Sequence, residues 1–112
     1  MTETTNEIIM FDKIGQRLLP GSIIVYGHLL SRSAGLRLGK VIKLERKDTM
    51  SGYGPYDRIT IQGLDCNWYP SHGIHPALLS RRSTLLFPNR TVIINEEQLP
   101  ENIKELFDTV VV

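Results

Sequence analysis

Leu36-Arg37-Leu38-Gly39-Lys40-Val41-Ile42-Lys43-Leu44-Glu45-Arg46, taken with Arg58-Ile59-Thr60-Ile61-Gln62, decides the fold. In the second segment apolar and polar residues alternate without error, which sends Ile59 and Ile61 inward and Arg58, Thr60 and Gln62 outward. That is the period of a half-buried β-strand. In the first segment Leu36, Leu38, Ile42 and Leu44 share one parity, and Lys40 interrupts the pattern directly after Gly39. A glycine inside a strand predicts a bulge or a sharp bend at that point. Before it, Ser22-Ile23-Ile24-Val25-Tyr26 is a dense β-branched and aromatic run behind the turn pair Pro20-Gly21, and it reads as a strand. After it, Thr84 to Phe87 and Thr91 to Ile94 read as two short strands joined by a hairpin turn at Pro88-Asn89-Arg90.

The remaining segments connect or cap these strands. His28 to Gly35 is small and polar and reads as a loop, Lys47 to Tyr56 as a Gly/Pro loop, and Leu64 to Ala77 as a long irregular insertion. Residues 1–6 read as a flexible tail and 7–112 as one domain. Met10, Ile14 and Leu18 recur at three-to-four spacing, which allows a short N-terminal helix before Pro20-Gly21. Pro100 opens a C-terminal helix over about 100–108, with Ile103, Leu106 and Phe107 on one face. Five short strands with such caps predict a strongly bent antiparallel sheet that rolls into a partial barrel.

At 112 residues and 41% hydrophobic composition the chain has material for one core and no second domain. The single Cys66 excludes an internal disulfide and fits an intracellular protein. No apolar run reaches the length of a membrane span, and the acidic start lacks the pattern of a signal peptide, so a cytoplasmic protein with no membrane partner is expected. The net charge of +1 hides a division: residues 13–95 balance at +8, while the two ends are acidic, at −3 and −4.

The strand at 22–26, the two glycines Gly35 and Gly39, and the Gly39-Lys40-Val41 step into the next strand resemble the KOW-type element of small SH3-like barrels in ribosomal proteins and transcription elongation factors. The match spans residues 21–46. It implies a mainly β, five-stranded SH3-like partial barrel and nucleic-acid binding through a basic strand face. In size and style the whole chain is also similar to the short accessory proteins encoded by tailed phages.

Two surfaces are candidates. Tyr53, Tyr56, Trp68 and Tyr69, with His72 and His75 in the same loop region as the last two, offer aromatic anchors of the kind that dominate protein interfaces. Arg37, Lys40, Lys43, Arg81 and Arg82, with Arg32, Arg46 and Lys47 nearby, offer a phosphate-binding strip next to aromatics able to stack on bases. Against each stands a plainer role: the glycines serve turns, the cations solvate a surface, and Arg81-Arg82 guards a sheet edge. Cys66, His72 and His75, with Asp65 and His28, include zinc-ligand types, but a lone cysteine lacks the paired spacing of a structural site, so no metal and no cofactor is expected. No nucleophile elbow or phosphate loop is present, because Gly52-Tyr53-Gly54-Pro55 lacks the following Lys-Ser/Thr. The reading is therefore a non-enzymatic protein-interaction module, with a nucleic-acid-binding module as the alternative. The terminal Val110-Val111-Val112 either packs on the body or pairs with a second copy in a homodimer.

Overall fold

The computed structural model describes residues 8–30, 33–47, 55–65, 68–69, 73–74, 78–86 and 88–112, with the backbone alone at 28–30, 33–34, 65, 68–69 and 73–74. The expected flexible tail at 1–6 lies outside them. The strands are β1 (Ile23–Leu30), β2 (Ser33–Lys47), β3 (Tyr56–Asp65), β4 (Trp68–Tyr69), β5 (Gly73–Ile74), β6 (Leu78–Leu85) and β7 (Thr91–Ile94), and one helix follows, α1 (Glu101–Asp108). Five of the strands form one open antiparallel sheet in the order β6-β3-β2-β1-β7, while β4 and β5 pair only with each other. The expected architecture, mainly β with five main strands and a C-terminal helix, is the one observed.

Both faces of the sheet carry a core. Ile24, Tyr26, Val41, Ile59 and Ile61 pack on one face with Met10 and Leu18 of the N-terminal segment. Ile23 and Leu64 pack on the other with Ile103 and Phe107 of α1. The strands are staggered: β1 pairs with residues 33–40 of β2, whereas β3 pairs with 38–47. The bulge in β2 falls between Val41 and Lys43 rather than at Gly39. It advances the strand by one residue, so that Val41 and Leu44 both reach the first core, which a strict alternation forbids.

Three further expectations are corrected. The segment His28 to Gly35 is not a loop, because His28 pairs with Gly35, Leu29 with Ala34 and Leu30 with Ser33. Gly27, Gly35 and Leu36 are exposed, so this part of the ribbon buries little and leaves no apolar alternation to read. The two strands around Pro88-Asn89-Arg90 do not form a hairpin. These three residues make a 3-10 turn, and the chain passes from one edge of the sheet at β6 to the other at β7. Finally, no helix forms over the described residues 8–19. Phe11 bridges Arg17, and Leu18 N–H donates to the Met10 carbonyl at 2.9 Å, so Met10 and Leu18 lie side by side across a small turn. Asp12 makes that turn: its carboxylate accepts from the amides of Ile14 and Gln16, and Gly15 takes φ +85°, the left-handed region.

Candidate functional site

Leu38, Leu64 and Leu79 stand opposite one another on β2, β3 and β6, so they form one row on the face that carries α1. The helix covers only the middle of that face. Leu64 is 1% exposed, Leu79 is 37% exposed, and Leu36, two residues along β2, is 78% exposed. Leu78, at the start of β6 and paired with Asp65, belongs to the opposite face and is 68% exposed. The small β4–β5 ladder, Trp68 opposite Ile74 and Tyr69 opposite Gly73, lies in the connection between β3 and β6. One end of the sheet therefore joins the exposed leucines to the connection carrying Trp68 and Tyr69. Tyr56 does not join them, because it begins β3 and stands about 30 Å along that strand from Asp65. Tyr53, His72 and His75 lie outside the described residues.

The basic residues are likewise divided. By register Lys40, Lys43 and Arg82 share the face of α1, whereas Arg37, opposite Tyr26, lies on the other. Lys40 is engaged: its ammonium donates to the carbonyls of Phe107 (2.9 Å) and Val110 (3.2 Å), at the C-terminal end of α1 where the helix dipole favours a cation. Its ammonium is thus tied into the fold. Lys43 lies 3.6 Å from Glu45, which also meets Lys47 at 2.8 Å and Arg58 at 3.0 Å. Hydrogen bonds from Lys47 and then Arg58 outweigh the opposing effect of burial and lower the Glu45 pKa to about 2. Arg46 pairs with Asp57 at 2.8 Å. Arg81 and Arg82 are exposed on β6. Arg32 lies outside the described residues.

The cross-strand pairs Glu45 with Arg58 and Arg46 with Asp57 were missed from sequence, and a signal for them existed. Glu45-Arg46 and Asp57-Arg58 have complementary charge order once the two strands run antiparallel.

A shallow groove of about 420 Å³ opens between the N-terminal segment and Pro88-Asn89, lined in part by Phe11, Leu86, Asp12 and Asp57. Both carboxylates are already engaged, Asp12 by backbone amides and Asp57 by Arg46, so they do not form a free acid–base pair. Cys66, His72 and His75 lie outside the described residues. Among the described residues no three His, Cys, Asp or Glu side chains group so as to hold a metal, and no helix is long and apolar enough to cross a membrane. At the C terminus Val110 is buried against the body while Val111 and Val112 are exposed. No family of proteins, curated protein or solved structure matches the chain.

Proposed function

We propose that this chain is a non-enzymatic protein-interaction module that docks on a macromolecular partner, in the manner of a small cytoplasmic accessory protein of phage type. The observation that carries the reading is the uncovered apolar end of the sheet. Leu36 and Leu78 there are 78% and 68% exposed. Large aliphatic side chains exposed at one end of a sheet, Leu36 on the face of α1 and Leu78 on the opposite face, are a poor solvated surface and a good docking surface. The Trp68-Tyr69 connection at the same end adds residue types that anchor interfaces. The strand order β6-β3-β2-β1-β7, with a 3-10 turn leading the last strand back to the first, supports reading the sheet as an SH3-like partial barrel.

The test is affinity capture from the cell in which the protein acts, comparing wild type with the Leu36→Asp/Leu78→Asp double variant. The expected result is a partner that survives nuclease and is lost with the variant, whose melting temperature stays near that of wild type. Nucleic-acid binding is the second reading, favoured by Lys43, Lys47, Arg58 and Arg82 on one face and weakened by Glu45 at their centre. It requires an affinity that falls steeply with salt, and a flat response eliminates it.

A further inference from the structure

The two edges of the sheet differ. At β7 the chain supplies its own partner: the Thr91 carbonyl accepts from the Lys13 amide at 2.8 Å, the Ile93 amide donates to Asp12 at 2.8 Å, and the Ile93 carbonyl accepts from the Gln16 side chain at 3.2 Å. At β6 the outer edge has no strand beside it among the described residues. This edge is eight residues long, Leu78-Leu79-Ser80-Arg81-Arg82-Ser83-Thr84-Leu85, and most of them are exposed. It offers about 26 Å of strand backbone, interrupted where Ser80 and Arg81 both stand opposite Gly63 and the Ser80 carbonyl accepts from the Gln62 side chain.

The chemistry of the edge selects its occupant. It contains two adjacent arginines and no acid. A second copy pairing antiparallel about Arg81-Arg82 would set like charges against each other, which disfavours self-association. A nucleic-acid backbone offers phosphate acceptors for the edge amides but no regular donors for its carbonyls. An extended peptide supplies both. Acidic residues on that peptide would meet Arg81 and Arg82, and apolar ones would reach Leu78 and Leu79, where the edge runs into the apolar end described above.

We infer that β6 is the docking edge, and that it receives an acidic, extended segment of a partner protein as a sixth strand of the sheet. The inference rests on the protein-interaction reading and specifies its mode.

The test uses isotope-labelled full-length protein and a blocked eight-residue peptide alternating valine and glutamate, followed by NMR and amide hydrogen exchange. The expected result is shift and protection confined to the amides of 78–85 and their β3 neighbours. A roughly threefold preference over the same peptide with lysine for glutamate should accompany it, the size that one exposed ion pair supplies, because the alternating glutamates share one face and Arg81 and Arg82 lie on opposite ones. The Arg81→Glu/Arg82→Glu variant, altered only at exposed positions, should keep its spectrum and reverse that preference. Absence of protection at 78–85, an unreversed preference, or equal protection by an oligothymidine overturns the inference. If the edge fails while leucine-dependent partner capture succeeds, strand addition falls and the protein-interaction reading stands.

Discussion

Gly39 and Gly63 stand directly opposite each other on β2 and β3, and the ring of Tyr26 lies over both. A Cβ on Gly39 would sit 3.1 Å from Tyr26 Cε1 and 3.4 Å from the Gln62 carbonyl oxygen. Tyr26 is 4% exposed and belongs to the first core, so its ring cannot swing into solvent without opening that core. Close approach, rather than a bulge, is what requires glycine here.

Gly39→Ala is therefore expected to destabilise the domain by about 1–3 kcal/mol through overpacking. Gly35→Ala is the control, because a Cβ there meets nothing within 4 Å. Thermal melts should show a clear drop for the first and almost none for the second.

Lys40 connects the sheet to the helix laid over it. Lys40→Met keeps the aliphatic stem but leaves the Phe107 and Val110 carbonyls without their charged donor. A loss of about 1–2 kcal/mol is expected, with hydrogen exchange accelerated over 101–110 before the rest of the sheet.

Asp12 governs acid stability at the other side of the fold. Burial alone would raise its pKa, but the amide of Ile93, the amide and side chain of Gln16 and the amide of Ile14 outweigh burial and hold it below 3.8. A lowered carboxylate contributes stability above the unfolded-state value and loses it as pH falls through the folded one. Stability should thus decline below about pH 4. Asp12→Ala should cost roughly 2 kcal/mol or more at neutral pH and flatten that decline. Glu45, held down to about 2, adds to the acid loss in the same direction.

How far the sequence could be read depends on burial. Ile59 and Ile61 alternate cleanly because both are fully buried on one face, and Ile103 with Phe107 marks the helix for the same reason. Where a strand carries no core, as over His28 to Gly35, pairing persists but the pattern disappears. Met10 and Leu18 show the converse: their spacing imitates a helix, yet Ile14 between them is 68% exposed, because an aspartate turn rather than a helix brings the outer two together. Of the candidate sites, the aromatic residues around 68–69 were visible from composition. The exposed leucines at that end were not, since Leu36 and Leu79 look like core residues until the register shows what α1 leaves uncovered, and Leu78 falls on the opposite face.

Docking through the leucine-bearing end of the sheet is decided by quantitative affinity capture with nuclease, wild type against Leu36→Asp/Leu78→Asp, with thermal melts of both proteins. A nuclease-resistant partner, retained by wild type and lost by an equally stable variant, is the predicted result. A partner that disappears with nuclease, or that binds both proteins equally, would rule out docking through these leucines.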